Sequence, residues 1–362
     1  MPILPTAAAK LGADLPTAGF IAGLVMMGSL FFDLPAVRLV NRFGERRSML
    51  VASVVGSTCL ALMTLAPNLI VLGALIFVAG SMAAVFGLAR HGYMAEHVPF
   101  SHRARALGVL GGSFRGGAFL GPIVGAGVVL VGGINAVYFL AAALCLISAI
   151  ILALVKDDSA SEPDPNAHSL TIFAVTKREF AKLRTVGVGS MSLALSRAAR
   201  AIGLPLWGVY LGMNEAQISL YVGIAAFVDF ALFFISGIVM DRFGRRAAAV
   251  PTLLAMGVMM FALTFANAPA LFLLVAVLLS VGNAFGSGIV LTIGADLAPT
   301  DARNEFLAAY RLMMDFGTAG APIAIATITA AASLPVAMVF ISGVCFFGAG
   351  MMWRYLPKFG IR

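Results

Sequence analysis

Ionisable side chains inside otherwise apolar segments are the part of this sequence that could do chemistry. Asp33, Asp229 and Asp315 lie within long apolar runs, and several arginines lie in similar runs. Because a charge in the bilayer interior is costly, such residues typically mark a transport pathway, a proton relay or a paired structural site. A carboxylate that pairs with an arginine and is then released could bind and lose a proton. The candidates for proton coupling or substrate binding are Asp33, Arg90, Arg115, Asp229, Arg311 and Asp315.

The distance along the chain to the nearest charged turn places two of these carboxylates deep in the membrane. Asp33 lies eight residues before Asn41, and Asp229 lies twelve residues before Asp241. In a helix these separations correspond to depths of about 12 Å and about 18 Å. The alternative function of each carboxylate is a static buried salt bridge that fixes helix packing.

Two other arginines, Arg197 and Arg200, are interpreted differently. Both fall in the predicted span 185–211. Long basic side chains near a helix end can extend to the membrane interface while their stems stay in the apolar layer. We therefore leave these two residues out of the candidate set.

The composition predicts an all-α polytopic membrane protein. Of 362 residues, 61% are hydrophobic and 11% are charged, whereas a soluble domain has about 25% charged residues. The apolar runs exceed the ~18–20 residues that span a bilayer. The net charge of +8 resides in short loops, which indicates membrane topology and excludes a nucleic-acid partner. The expected partners are the lipid bilayer, a small-molecule substrate and protons.

Eleven spans are predicted, and the basic residues orient them. Most Lys and Arg residues fall in alternate loops, which the positive-inside rule places in the cytoplasm. The linker 156–184, with a short amphipathic helix at its basic end, and the C-terminus are then cytoplasmic. The predicted spans are 15–40, 48–66, 69–96, 104–131, 134–155, 185–211, 215–240, 247–267, 270–297, 304–331 and 334–356.

A repeat with an offset of 200 residues divides the chain into two bundles. The charged turn Asn41-Arg42-Phe43-Gly44 aligns with Asp241-Arg242-Phe243-Gly244, and Pro122 aligns with Pro322. Transporters are often built from such halves, with a substrate cavity at their interface. The repeat predicts an N-terminal bundle at 1–155, the linker at 156–184 and a C-terminal bundle at 185–362. It also aligns Arg115 with Asp315, which would face each other if both point into the cavity.

The same offset predicts a further helix. Leu4-Pro5 aligns with Leu204-Pro205, near the end of the span 185–211. The matching first helix would occupy the ~16–20 residues upstream of Met1 and would complete a set of twelve spans. We expect a misplaced start, a fragment or a genuine shortening of the chain.

Two motifs resemble those of the major facilitator superfamily, which has two six-helix bundles related by a pseudo-twofold axis. Gly237 to Arg246 matches the family's loop motif, whereas the upstream copy has Val37 and Asn41 in place of glycine and aspartate. The segment Gly117-x-x-x-Gly121-Pro122-x-x-Gly125-Ala126 resembles the helix-five motif of drug:proton antiporters without its last glycine. The resemblance covers the chain apart from the absent first helix.

The resemblance implies a conformational latch at the two charged turns. In relatives the loop aspartate holds one alternating-access state closed on the cytoplasmic side, through a contact to a helix dipole and a charge. Asp241 can make this contact and Asn41 has no charge, so we expect a weaker latch in the N-terminal half. The latch motif comprises Gly237, Asp241, Arg242, Gly244, Arg245 and Arg246, with Asn41, Arg42, Gly44 and Arg46 upstream.

The glycines of both motifs have expected structural functions. Gly244 would provide the backbone freedom that the turn needs, and Gly237 would allow close helix approach. At i, i+4 and i+8, three further glycines would share one face that a partner helix could approach closely, next to a proline that bends the helix. This helix-packing motif comprises Gly117, Gly121, Pro122 and Gly125.

The predicted function is secondary active transport across the cytoplasmic membrane, with proton-coupled efflux of a small molecule preferred. The alternatives are a proton-coupled uptake symporter for a small metabolite and a non-transporting membrane protein derived from a carrier. The sequence contains no nucleophile–base set, metal cluster or nucleotide-binding loop, so an enzyme is not expected. We expect a monomer that uses the proton gradient and no cofactor.

Overall fold

The computed structural model describes residues 3–97, 100–154 and 172–360. These residues are helical almost throughout, which confirms the all-α prediction. The helices of the first half are α1 (Ile3–Lys10), α2 (Leu15–Phe43), α3 (Glu45–Met63), α4 (Leu69–His97) and α5 (Phe100–Leu154). The helices that follow are α6 (Ile172–Arg178), α7 (Phe180–Lys182), α8 (Val188–Tyr210), α9 (Glu215–Phe243), α10 (Arg245–Leu263), α11 (Pro269–Ala284), α12 (Ile289–Leu297), α13 (Arg303–Ala331) and α14 (Leu334–Tyr355).

Within the described residues, eight stretches are long and apolar enough to cross a membrane. One of them, Gly112–Leu154, holds two helices, because α5 is interrupted at Gly133 with φ 69° and ψ −170°. Neither α3 nor α8 is among the eight, since charged residues lower their mean hydropathy. If these two helices are included and α11 and α12 together count as one, every predicted span has a helical counterpart in the described residues.

The described residues form two compact units. One unit comprises the described part of Met1–Pro163 together with Asn214–Leu220, and the other comprises Asp164–Met213 together with Tyr221–Arg362. Short helices α6 and α7 lie at the basic end of the predicted linker. The rest of that linker up to residue 171 lies outside the described residues, and the proposed boundaries at 155 and 184 stay predictions.

In the N-terminal unit, α2 packs tightly on α4 through two glycines. A Cβ on Gly28 would collide with the carbonyl of Phe77, and a Cβ on Gly80 would collide with the carbonyl of Val25. The hydroxyl of Ser29 donates to the Gly80 carbonyl at 2.9 Å. Small residues therefore allow the two backbones to touch, as is typical of membrane helices.

In the C-terminal unit, α8 packs against α13 and α14. A Cβ on Gly317 would lie 2.5 Å from the backbone oxygen of Met191, and a Cβ on Gly348 would lie 2.6 Å from the Ser192 side chain. The hydroxyl of Ser196 is 2.9 Å from the thiol of Cys345. These close contacts fix the position of the helix that carries Arg197 and Arg200.

The predicted span 270–297 is confirmed as a membrane-crossing stretch at Pro269–Leu297, but its helix is interrupted in the middle. The helix α11 ends at Ala284 and α12 begins at Ile289, with Gly288 in the left-handed region at φ 77°. Glycine adopts this conformation without steric cost. Because the residues between them are apolar or small and include no proline, hydropathy alone does not indicate the interruption. The equivalent helix α4, 200 residues earlier, runs through these positions unbroken.

Both charged turns have the same backbone geometry. Gly44 has φ 79° and Gly244 has φ 86°, which confirms that glycine provides the turn with a positive φ. The Gly44 N–H donates to the Val40 carbonyl at 2.8 Å, and the Gly244 N–H donates to the Met240 carbonyl at 3.1 Å. The 200-residue repeat is thus present in backbone hydrogen bonds.

Candidate functional site

Asp229 is at the centre of a polar network inside the C-terminal unit. Its Oδ2 lies 3.3 Å from Nη2 of Arg200, and the two side chains are only 15% and 18% exposed, respectively. The side-chain amide of Asn283 donates to both carboxylate oxygens at 3.0 Å. A carboxylate among apolar helices thus has a cation and an amide as partners, which offset the cost of burying its charge.

The network continues through both arginines of α8. Arg200 donates from Nη1 to the hydroxyl of Ser280 at 2.7 Å. Arg197 donates from Nε to Oδ1 of Asn283 at 3.0 Å and from Nη2 to the carbonyl of Gly286 at 2.6 Å. Hydrogen bonds that involve charged groups therefore join the three helices α8, α9 and α11. Such bonds are stronger than those between two neutral groups.

Helix periodicity explains why these residues meet. Arg197 and Arg200 are three residues apart on α8, and Ser280 and Asn283 are three residues apart on α11. Residues at this spacing lie on the same helix face. Two such pairs therefore face each other, and Asp229 on α9 closes the network.

The helix interruption is part of this network. The Gly286 carbonyl accepts from Arg197 and also from the backbone N–H of Ile289, at 3.1 Å. The Ser287 carbonyl accepts the hydroxyl of Ser236 at 2.8 Å. Non-helical backbone at membrane depth needs such partners, because lipid offers none.

The interpretation of Arg197 and Arg200 as interfacial residues is wrong. Arg197 lies nine residues after Val188, so about 13 Å separates it from the start of the helix. Both guanidinium groups point to neighbouring helices instead. Asn283 and Ser280 were not predicted as site residues. The signal that could have identified them is the presence of an amide and a hydroxyl side chain in an otherwise apolar span.

Arg311 and Asp315 form an ion pair on their own helix. Nε of Arg311 lies 3.7 Å from Oδ2 of Asp315, with side chains 62% and 28% exposed. They occupy i and i+4 positions, a spacing that brings oppositely charged residues together. The side chain of Arg115 lies outside the described residues, so its pairing with Asp315 stays a prediction. Asp33 is half-buried on α2.

Arg90 lies between α4 and α5 against aromatic rings. Its guanidinium carbon is 4.3 Å from the ring centre of Phe114 and 5.7 Å from that of Phe86. Such contacts stabilise a cation in apolar surroundings. In this structure the described partners of Arg90 are thus rings, and no carboxylate is among them.

Arg90 also lines a pocket of about 520 Å³ between α2, α3, α4 and α5 of the N-terminal unit. Cys145 and Ser148 line the same pocket, and the residues 200 positions later, Cys345 and Gly348, contact α8. Two of the residues that line the pocket thus correspond, under the repeat, to residues that contact α8 in the C-terminal unit. The further helix expected from the repeat stays a prediction.

The glycines of the helix-five motif do not make the close approach that their spacing predicts. A Cβ on Gly117 or Gly121 would meet no heavy atom within 4 Å, and one on Gly125 would make an ordinary contact with Ile3 at 3.7 Å. The same holds for Gly237, where a Cβ would also meet nothing within 4 Å. By contrast, Gly317, the repeat counterpart of Gly117, packs closely on α8.

In the C-terminal latch motif, Arg245 forms an ion pair with Asp296 of α12. Its Nε lies 2.9 Å from Oδ2 of Asp296, and its Nη1 donates to the Met240 carbonyl at 3.2 Å. Asp241 and Arg242 are exposed. Latching by Asp241 stays a prediction.

The next arginine of each turn contacts the last helix of its own bundle. Arg46 donates to the carbonyls of Leu152 and Ala153, both at 2.9 Å, at the C-terminal end of α5. A cation at this end also interacts favourably with the helix dipole. Arg246 lies 3.5 Å from the ring centre of Trp353, the repeat counterpart of Ala153. Arg42 is exposed, and the side chain of Asn41 lies outside the described residues.

Outside the spans, the basic end of the linker binds the loop after α12. Arg178 donates to both carboxylate oxygens of Asp301 at 2.6 and 3.0 Å. This hydrogen bonding lowers the pKa of the Asp301 carboxyl and raises the pKa of Arg178. Lys182 donates to the carbonyl of Leu297, the last residue of α12, at 3.1 Å.

Comparison with known proteins places these features in a family context. The model of the family described as Major Facilitator Superfamily matches residues 1–186 and 186–361. The uncharacterized MFS-type transporter YfkF of Bacillus subtilis (strain 168) is 30% identical over 123 residues, which is 33% of this chain and 31% of that protein. The match therefore spans less than a third of this relative's length.

Two solved structures share the fold. A D-xylose-proton symporter superposes with a TM-score of 0.75 at 15% identity, over 98% of this chain and 92% of that one. A bacterial homologue of the human lysosomal transporter Spinster, in an inward-facing and unoccupied conformation, gives a TM-score of 0.78 at 14% identity, over 97% of this chain and 91% of that one. At these identities the similarity concerns the fold alone.

Proposed function

Because the chain belongs to the major facilitator superfamily, we propose that it is a proton-coupled secondary transporter in which Asp229 is the coupling carboxylate. It moves a small molecule across the cytoplasmic membrane by alternating access. Family and fold support secondary transport as such, and the network around Asp229 supports the coupling residue.

The observation that carries the proposal is the pairing of Asp229 with Arg200 and Asn283 inside a spanning helix. An ionised carboxylate is tolerated there because a guanidinium and an amide donate to it. A proton on the carboxylate removes its charge and weakens both contacts. The network therefore has two arrangements, and exchange between them can be linked to opening on either side of the membrane.

Export in exchange for protons is the preferred direction. It is supported by the resemblance of Gly117 to Ala126 to the antiporter motif, on the same chain as the Asp229 network. A proton-coupled uptake symporter is the second candidate, because a D-xylose-proton symporter shares this fold. The two functions differ in the direction in which protons move with the substrate.

A non-transporting protein derived from a carrier is the third candidate. Its support is Asn41, which replaces the charged residue of the latch motif in the N-terminal half. Any substrate flux above that of protein-free vesicles contradicts it.

Flux through proteoliposomes tests the function. The vesicles hold a pH-sensitive dye, and ethidium serves as a lipophilic cationic probe, added outside with and without an imposed pH gradient. An antiporter makes the lumen more alkaline as the probe enters, and a symporter makes it more acidic. The proposal fails if reconstituted, folded protein moves the probe at a rate that no pH gradient changes.

A further inference from the structure

The side chain of Asn283 connects Asp229 to the arginine that binds the helix interruption. The amide nitrogen of Asn283 donates to Asp229, and its amide oxygen accepts from Nε of Arg197. The same guanidinium donates from Nη2 to the Gly286 carbonyl inside the interruption. The hydrogen-bonded path therefore runs from the carboxylate through an amide and a guanidinium to the backbone.

A carboxamide is well suited to this position in the path. The side chain must donate to a carboxylate and accept from a guanidinium, and Asn and Gln have both functions in one short planar group. Serine is shorter, aspartate would face another carboxylate, and leucine would leave both neighbours without this partner. The orientation of the Asn283 amide follows from its two charged neighbours.

The segment that receives this path is a turn between two helices. Residues 285–288 form a turn in which Gly286 N–H donates to the Asn283 carbonyl and Ile289 N–H donates to the Gly286 carbonyl, both at 3.1 Å. The segment contains no proline, and the helix α4 at the equivalent positions of the first bundle is continuous. Two side chains, Arg197 and Ser236, donate to carbonyl groups of this turn.

We propose that Asn283 is a positioning residue that transmits the charge state of Asp229 to the interruption between α11 and α12. With Asp229 ionised, the amide is fixed by a charge-assisted hydrogen bond and presents its oxygen to Arg197, which holds the Gly286 carbonyl. With Asp229 neutral, the amide loses this restraint, Arg197 loses a fixed acceptor and the turn is released. The inference relies on the proposed function in taking Asp229 as the group that changes charge.

The charged groups around Asp229 are consistent with this path. From α8, Arg200 contacts the carboxylate directly and Arg197 lies one hydrogen bond further away. From α11, the uncharged Asn283 donates to the carboxylate, and the uncharged Ser280 accepts from Arg200. Among the described hydrogen bonds, those of Asn283 link Asp229 to Arg197, which binds the interruption.

Amide hydrogen exchange of residues 285–290 in the full chain tests the proposal. The protein is kept in nanodiscs at constant pH, and Asp229→Asn mimics the neutral carboxylate. We expect exchange in this segment to become about tenfold faster, as for the loss of one hydrogen bond to a charged group. In Asn283→Ala, amide exchange of residues 285–290 should already be faster than in the wild type, and adding Asp229→Asn should not accelerate it further. Asn283→Gln retains part of the protection, because it restores the carboxamide.

Ser236→Ala is the matched control, because it removes the other partner of the same turn without contacting Asp229 in the described network. Its effect is expected to add to that of Asp229→Asn. The proposal is overturned if Asp229→Asn leaves the exchange of 285–290 unchanged, or if its effect is the same with and without Asn283. If Asn283→Ala does not fold, the comparison of Asp229→Asn with wild type decides alone.

The readout separates this inference from the proposed function, because exchange is measured without substrate. If Asp229→Asn accelerates exchange while gradient-driven transport persists, the coupling assignment of Asp229 fails and the connection through Asn283 stands. If gradient-driven transport is lost while exchange is unchanged, the coupling assignment stands and the positioning function of Asn283 fails.

Discussion

Arg200 and Asp229 lie 3.3 Å apart on two different helices, α8 and α9, and the pair is largely shielded from solvent. Removing one partner of such a pair leaves the other charged and buried, which costs more than the pair itself contributes. Stability and coupling are therefore expected to depend on the two residues jointly.

Replacing Arg200 alone is expected to destabilise the protein more than replacing both partners. Arg200→Gln should cost about 1–3 kcal/mol, because Asp229 then lacks its cation. Adding Asp229→Asn should restore part of this loss. Thermal unfolding of the single and double variants in detergent measures the coupling. Additive losses would contradict a direct interaction.

Repeat-related glycines offer a matched pair of substitutions. Gly317→Ala should lower the unfolding temperature by several degrees, because the new Cβ would lie 2.5 Å from the backbone oxygen of Met191. Gly117→Ala should be neutral or stabilising, since its Cβ position is open and alanine is favoured over glycine in a helix by about 1 kcal/mol. An equal decrease in unfolding temperature for Gly117→Ala and Gly317→Ala would show that the two bundles do not differ in packing at these glycines.

Substitutions of the turn arginines are expected to differ between the bundles. Arg46→Lys should cost nearly as much as Arg46→Ala, roughly 1–2 kcal/mol, because one amine cannot replace the two nitrogens that bind Leu152 and Ala153. Arg246→Lys should retain much of its stability, since an ammonium can also interact with the Trp353 ring. Arg47→Ala, at an exposed position of the same turn, is the control. Full stability of Arg46→Lys would contradict the importance of both hydrogen bonds.

Binding of the linker to the loop after α12 is expected to weaken in acid. The hydrogen bonds from Arg178 lower the pKa of Asp301 below its ordinary value of 3.8. The ion pair therefore contributes fully above that ordinary value, and its contribution is lost as the pH falls through the lowered pKa. Protection of residues 172–182 against hydrogen exchange, relative to the intrinsic rate at each pH, should fall only in strong acid in the wild type, and in Asp301→Asn it should already be reduced at neutral pH. Salt should also reduce the protection of the wild type, because the pair is exposed.

The sequence predicted the spans well because apolar length and the positions of basic loops are local properties. Hydropathy could not locate the interruption in 270–297, since Phe285 to Gly288 is apolar or small and α4 runs straight through the equivalent positions. Two glycines in four residues were the available signal. The turn geometry of Gly44 and Gly244 was predictable because only glycine adopts it freely.

The candidate site was only partly predictable. Asp229 was identified because a carboxylate in a span is rare, whereas Arg197 and Arg200 were assigned to an interface and Asn283 was overlooked. Their roles depend on contacts between residues 29 to 89 positions apart. Packing between helices brings those residues together, and no single-helix pattern contains that information.

We propose that Asp229 couples transport to protons, and gradient-driven flux in proteoliposomes measures this coupling. Asp229→Asn is compared with Asp301→Asn, a carboxylate outside the spans, at equal reconstitution and with ethidium as the probe. We predict that Asp301→Asn responds to a pH gradient as the wild type does. Asp229→Asn should keep ethidium exchange at equilibrium and lose the stimulation by the gradient. If the pH gradient stimulated ethidium flux through Asp229→Asn as much as through the wild type, Asp229 would not be the coupling carboxylate.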